Sequence, residues 1–237
     1  MGGTSEASVV IQFDLLKSAR DIRKAGGLGS PRSFLDRRYA LLGDVPRTVL
    51  RRLAVFAGEF TLEAASAVVV CGRIHRTEVA PTIEELQASS FLTAEGDGAS
   101  ARYTLARQAR AFAFAKLVRY REVDAVSRSH AEYLQCVFEY AEVEMERGEP
   151  TQWMVDYGGL IDDVHAALDW AFSPSGDASI GVGLTIAAIP LWLSARSDEL
   201  CGRIERALKS EAAATHSGRE MRLRTAARLA GITDACP

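Results

Sequence analysis

Apolar residues recur every three or four positions along most of the chain, which predicts a series of amphipathic helices. An N-terminal helix is predicted over residues 9–24, followed by a glycine-rich joint at 26–29 and a second helix over 33–42. On the next predicted helix, 46–56 with its continuation to Ala57, one face carries only apolar side chains: Val49, Leu50, Leu53, Ala54 and Ala57. The three arginines of this segment lie off that face.

Two more short helices and a hairpin are predicted to follow. Thr61 is a suitable N-cap for a helix reaching to about Cys71, and the capping-box pattern from Thr82 to Glu85 predicts a third helix over 82–90. The runs 91–94 and 102–105 flank a turn-forming segment that contains two glycines, which predicts a β-hairpin. Three helices followed by a hairpin is the order of a winged-helix domain.

The remainder of the chain is predicted to be helical. A long helix is expected over 122–147, and further helices over 152–172, 178–194, 197–214 and 218–230. Successive antiparallel helices of this size form a bundle or the start of a helical repeat array. The predicted fold class is therefore mainly α, with a winged-helix-like domain carrying a β-hairpin followed by an antiparallel, TPR-like helical bundle. The predicted segments are 1–30 (helix and hinge), 31–120 (winged-helix-like domain) and 121–237 (helical bundle, truncated).

Charge is distributed unevenly along the 237 residues. Residues 1–121 contain 18 basic and 12 acidic side chains, whereas residues 122–237 contain 10 and 19, so the two parts carry about +6 and −9. This asymmetry suggests two domains with different neighbours. The longest apolar run is too short to cross a bilayer and a signal-peptide pattern is absent, so a cytoplasmic protein is expected. Four widely spaced cysteines fit free thiols rather than a disulfide framework.

The sequence offers little support for catalysis. It has no G-x-x-x-x-G-K-[ST] motif and is therefore not, by itself, a complete P-loop ATPase. Neither a metal-ligand constellation nor a nucleophile triad is apparent. His130 lies on the apolar stripe of its helix and is expected to be a core or boundary residue. His165 follows Asp162 and Asp163, but a solvated acidic helix face is the favoured interpretation over a catalytic dyad. The chain is predicted to be non-enzymatic.

Direct DNA binding is also not expected. The third helix of a DNA-reading winged helix needs basic or amide side chains to contact bases and phosphates. Here the predicted third helix carries Glu84 and Glu85, and the hairpin tip carries Glu95 and Asp97. These carboxylates would repel the polyanion. The three arginines at 47, 51 and 52 lie on the first helix of the motif, so they are expected to pack or to meet an acidic partner.

Several separated blocks resemble one known family. They are "VLRRLAVFAGEFTLEAA" (49–65), "FLTAEGDGASARYTL" (91–105), "HAEYL" (130–134) and the segment 161–193. In this order they are similar to the bacterial STAND-type signalling ATPases, and more closely to predicted-ATPase winged-helix transcriptional regulators. The resemblance covers roughly residues 31–230. It implies the region that follows the family's DNA-binding and P-loop domains, namely the internal winged helix and the start of the helical sensor region.

The resemblance implies a regulatory role in signal transduction. We predict a non-catalytic protein-interaction module that couples a nucleotide-binding partner or neighbouring domain to a helical surface. The candidate partner contacts are Arg47, Arg51, Arg52, Glu139, Glu142 and Glu146. Arg107 occupies a position near bound nucleotide in the relatives, where an acidic or histidine-containing motif is usual, and is a candidate phosphate contact. ATP or ADP is expected only with a separate nucleotide-binding domain. The alternatives are a DNA-binding winged-helix factor, a nucleotide-sensing ATPase fragment, and a decayed gene product.

Overall fold

The structure, a computed structural model, describes residues 31–98, 101–145, 149–195, 199–210 and 217–229. The predicted N-terminal helix and glycine joint lie outside these residues. The chain divides into two compact units, and the division falls between His130 and Ala131.

The first unit contains five helices and a hairpin within its described residues, before the helix that crosses the division. In chain order these are α1 (Pro31–Leu41), α2 (Asp44–Leu53), α3 (Leu62–Val69), α4 (Arg76–Ala88), β1 (Leu92–Glu95), β2 (Arg102–Leu105) and α5 (Arg107–Arg119). Helix α6 (Val123–Met145) runs through the division. The second unit continues with α7 (Pro150–Tyr157), a 3-10 turn (Gly158–Leu160), α8 (Ile161–Ala171), α9 (Ala178–Ala187), α10 (Ile189–Ala195), α11 (Glu199–Leu208) and α12 (Ser217–Leu229). The prediction of a mainly α protein with a small antiparallel sheet is confirmed.

Helix α2 forms the centre of the first unit. Its apolar face is fully buried at Val49, Leu50 and Leu53, as the pattern predicted, and it packs against α3, α4 and α5. The predicted N-cap is also confirmed, because the Thr61 hydroxyl accepts a hydrogen bond from the Ala64 N–H at 3.1 Å.

Helix α4 begins six residues before the predicted start at Thr82. The Glu78 carboxylate accepts a hydrogen bond from the His75 N–H at 2.8 Å, so the capping residues are His75 and Glu78. The predicted capping box at Thr82 is wrong, because Thr82 is buried and its hydroxyl donates to the Glu78 carbonyl at 2.6 Å inside the helix. The earlier start adds the exposed Arg76 to this helix.

The predicted hairpin is confirmed. Strands β1 and β2 pair antiparallel, with Leu92 opposite Leu105 and Glu95 opposite Arg102. Gly96 and Gly98 adopt positive φ values of 78° and 60° in the turn, which glycine allows without strain. Phe60, between α2 and α3, exchanges two backbone hydrogen bonds with Tyr103 at 3.0 and 2.8 Å and extends the sheet by one residue.

The second unit is built on the apolar faces of successive helices. Phe138, Leu168 and Trp192 are fully buried in its core, and the Trp153 indole N–H donates to the Ala141 carbonyl at 2.8 Å. The predicted helix 152–172 is divided by the 3-10 turn. The predicted helix 178–194 is divided at Ala188, because Pro190 has no N–H to continue the hydrogen-bond ladder.

A salt bridge between Arg203 and Asp169, at 2.7 Å, joins α11 to α8 within this core. In the described part of the chain, no helix combines the length and the apolar character that crossing a membrane requires.

Candidate functional site

Arg51 and Arg52 of α2 converge on one carboxylate, that of Glu122. Arg51 forms a bidentate ion pair with Glu122, whose second contact measures 3.2 Å, and Arg52 Nη2 lies 3.3 Å from Glu122 Oε1. Arg52 also donates to the Val69 carbonyl at 3.1 Å. The Arg51 guanidinium stacks over the Tyr120 ring at 4.4 Å. These contacts bind α2 to the end of α3 and to the turn between α5 and α6.

Electrostatics stabilise this cluster. Burial raises the pKa of Glu122, but the hydrogen bond and charge of Arg51, with the charge of Arg52, outweigh burial and lower the pKa below its usual value. Burial lowers the pKa of Arg51, but Glu122 outweighs that effect and raises it. Both shifts favour the ionised forms of Glu122 and Arg51 at neutral pH.

Arg47, the third arginine of α2, binds the C-terminal end of α1. Its guanidinium donates to the carbonyls of Tyr39 and Ala40, at 3.0 and 2.6 Å. These are among the last carbonyls of α1, which lack partners within the helix. The three arginines predicted as partner contacts therefore all join elements within the first unit. Arg51 and Arg52 share the Glu122 carboxylate, whereas Arg47 binds the end of α1. Arg51 is buried and Arg52 is mostly buried.

Helix α4 and the hairpin carry exposed carboxylates. Glu84 and Glu85 of α4 are exposed, and so are Glu95 and Asp97 of the hairpin. Arg76, which the predicted helix did not include, is exposed in the first turn of α4, two turns before Glu84.

Arg107 lies exposed at the first position of α5. The N-cap of this helix, Ala106, contributes no side-chain hydrogen bond, and the first turn contains no acidic residue. The neighbouring Gln108 is also exposed. Arg110, one turn further on, instead donates to the carbonyls of Ala54 and Ala57 at 3.3 Å.

The acidic residues predicted on the long helix take different positions. Glu139 is exposed and accepts a hydrogen bond from Gln135 at 2.7 Å. Glu142 forms a salt bridge with Arg222 of α12. Glu146 lies outside the described residues.

The exposed side of α6 carries apolar residues that were not predicted to form a surface. Tyr140 is 63% exposed and Val143 is 42% exposed, and Cys136 is exposed one turn before Tyr140. These three residues and Glu139 share one helix face, which we call the acidic face. Its signal in the sequence is a second i, i+4, i+7 series that runs opposite the buried stripe. Glu144 lies beside it and accepts a hydrogen bond from the Tyr157 hydroxyl at 2.6 Å. Burial, and then this hydrogen bond, raise the pKa of Tyr157.

The two histidines considered for chemistry are buried. His130 packs edge-on against Phe56 at 5.1 Å between ring centroids, which confirms its expected core position. The expected solvated face around His165 is wrong, because Asp163 and His165 are both buried and the imidazole stacks on Trp192 at 4.9 Å. Among the described residues, no group of three or more His, Cys, Asp or Glu side chains is arranged to hold a metal ion.

Comparisons of the chain with protein-family models, with curated proteins and with solved structures gave no match.

Proposed function

We propose that this chain is a non-catalytic interaction module of a STAND-type transcriptional regulator, and that the acidic face of α6 contacts a protein partner. The observation that carries the proposal is the composition of this face. An aromatic ring, an aliphatic side chain and a carboxylate are exposed together at Tyr140, Val143 and Glu139. Apolar anchors beside a charge are typical of surfaces that dock an amphipathic helix of opposite charge.

The element order supports the finer fold assignment. Helix α2, the bridging residue Phe60, helices α3 and α4, and then the hairpin follow one another as in a winged-helix domain. The successive helices from α6 onward support a TPR-like arrangement. We propose that the winged helix serves as a rigid connector between the partner domain and the helical surface.

Two features favour a protein partner over DNA. The surface of α4 and the hairpin carries four exposed carboxylates, and each of them would repel a phosphate backbone. The arginines of α2, which would otherwise supply a basic patch, donate to carbonyls and to Glu122 within the unit. We therefore expect the partner to be a protein, in the cytoplasm, such as a neighbouring nucleotide-binding domain.

Arg107 is the contact that we propose for a phosphate, if a partner domain presents ATP or ADP to this chain. Its exposure at the N-terminus of α5 supports this role, because the free N–H groups of a helix start favour an anion. The chain alone is expected to bind neither nucleotide.

The test is a fluorescence-anisotropy titration of the whole chain with a labelled, arginine-rich amphipathic helical peptide. Binding is expected at low salt, weakened about tenfold by Tyr140→Ala and about threefold by Glu139→Gln. Glu84→Gln, which removes an exposed carboxylate from the other unit, is the matched control and should leave affinity unchanged.

A parallel titration uses labelled random-sequence duplex DNA at two salt concentrations. We expect no binding. Salt-dependent DNA binding without peptide binding would replace our proposal with that of a DNA-binding winged helix, and the arginines of α2 would then be the first residues to substitute.

A further inference from the structure

We propose that the partner of the acidic face is a second copy of this chain, which docks through an exposed face of α1. This inference rests on the proposed function and specifies the occupant. It follows from a match between two helix surfaces, one in each unit of the chain.

The α1 face combines apolar and basic side chains. Phe34 is 53% exposed and Leu41 is 87% exposed, and the exposed Arg37 lies between them along the same side of the helix. Arg38, which is half-buried, holds its guanidinium 5.0 Å from the centre of the Phe34 ring. We call these four residues the basic face. A large apolar side chain as exposed as Leu41 gains free energy whenever a partner covers it.

The spacing of the basic face repeats on the acidic face. Phe34, Arg37, Arg38 and Leu41 occupy positions i, i+3, i+4 and i+7, and the same positions on α6 are occupied by Cys136, Glu139, Tyr140 and Val143. The terminal pair of each helix is seven residues apart, about 10.5 Å along the axis. In one register, Phe34 and Leu41 therefore lie opposite Cys136 and Val143 at the same time.

The central positions are complementary in charge. With the helices parallel, Arg37 lies opposite Glu139 and Arg38 lies opposite the Tyr140 ring. An arginine over a tyrosine face is a favourable cation–π pair, and an arginine beside a carboxylate is a favourable ion pair. With the helices antiparallel the two arginines exchange partners, and both contacts remain.

The overall charge distribution points to the same occupant. The first 121 residues are basic and the remainder is acidic, so the basic part of one copy attracts the acidic part of another. Because the two faces are different surfaces, the association is head-to-tail, and a pair of copies retains one unused basic face and one unused acidic face, to which further copies can add. A single helix pair buries less than about 1,200 Å², so the contact is weak and concentration-dependent.

The test is sedimentation velocity of the full chain over a wide concentration range at low and high salt. The wild-type chain is expected to form dimers and longer assemblies as concentration rises, with weaker association at high salt. Arg37→Glu and Glu139→Arg each place like charges together and should each leave the chain monomeric. Arg119→Glu and Glu84→Arg make the same charge changes at exposed positions outside both faces and should leave the association intact.

Mixing the two face variants is the decisive step. The Arg37→Glu chain retains Glu139, which can pair with the Arg37 that the Glu139→Arg chain retains, so association should return in the mixture. It should also return in the doubly substituted chain, where the two charges are exchanged. Circular dichroism melts establish that each variant is folded. Leu41→Ser, at a nearly fully exposed position, is a second disrupting variant that keeps all charges.

A wild-type chain that stays monomeric throughout, or assemblies unaffected by the face variants, would overturn the inference. Mixed variants that stay monomeric would overturn it as well. The arginine-rich peptide separates the two proposals, because a monomeric chain that still binds the peptide refutes self-association alone. A chain that neither binds the peptide nor associates refutes both.

Discussion

Replacing Glu122 tests whether the ion cluster organises the first unit. Its carboxylate is 21% exposed and faces two guanidinium groups that are 10% and 14% exposed, on Arg51 and Arg52. In Glu122→Gln both arginines lose their only charged partner in the cluster, while one acceptor oxygen remains. Removing one partner of a buried pair costs about 3–5 kcal/mol, and hydrogen bonds to charged groups contribute about 1.5–3 kcal/mol each. Because Glu122 is partly exposed and glutamine still accepts a hydrogen bond, we expect a loss of about 2 kcal/mol.

The pH dependence of this loss has a definite sign. The pKa of Glu122 is lowered on folding, so its stabilisation is complete above the unfolded pKa of about 4.3 and is lost as pH falls through the lower, folded pKa. The difference between wild type and Glu122→Gln should therefore be constant near neutral pH and shrink in acid.

Urea unfolding followed by far-ultraviolet circular dichroism measures both quantities. Glu84→Gln is the control, since an exposed carboxylate should change stability by less than about 0.5 kcal/mol. The double variant Arg51→Gln/Glu122→Gln should lose less than the sum of the single variants, because the groups interact. A loss below about 0.5 kcal/mol for Glu122→Gln, or a loss that persists unchanged in acid, would refute the argument.

Three further predictions concern single side chains. Gly176→Ala should unfold the second unit or cost more than about 4 kcal/mol in thermal melts, because a Cβ there would lie 2.0 Å from the Trp170 carbonyl oxygen. Gly202→Ala should gain up to about 1 kcal/mol in the same melts, because a Cβ there would meet, within 4 Å, no described atom beyond its chain neighbours and the backbone of its own helix. Equal stability of Gly176→Ala and wild type would contradict this geometry. Thr61→Ala should cost about 1 kcal/mol in urea unfolding by removing the α3 cap, and a neutral result would show that the cap is dispensable. Burial raises the pKa of the Cys71 thiol, but the hydrogen bond from the Arg73 backbone and the charge of Arg52 outweigh burial and lower the pKa. Arg52→Ala should therefore slow the alkylation of Cys71 at neutral pH, as measured by peptide mass spectrometry. An unchanged rate would exclude Arg52 as a cause of the lowered pKa.

Local patterns in the sequence were sufficient for the α2 stripe, the Thr61 cap and the hairpin, because each depends on residues within one turn or one loop. The start of α4 was missed because two capping-box patterns lie seven residues apart, and the burial of Thr82 decides between them. Pro81 lies inside α4, and because proline is rare in a helix interior, the sequence around it does not indicate the earlier start.

The candidate site could be predicted only in part. The pairing of Arg51 with Glu122 joins residues 71 positions apart, and no local pattern reports such a contact. The carboxylates of α6 were visible in the sequence, but the exposed tyrosine and valine beside them were assigned to no surface. Their exposure depends on which side of α6 the other helices of the second unit cover.

The distribution of tryptophan has a practical consequence. The chain has three, and Trp153, Trp170 and Trp192 all lie buried in the core of the second unit. Intrinsic tryptophan emission therefore follows the packing of that core alone, whereas circular dichroism follows the helices of both units. Recording the two signals on one sample would show, without any added label, whether the units melt together or in sequence.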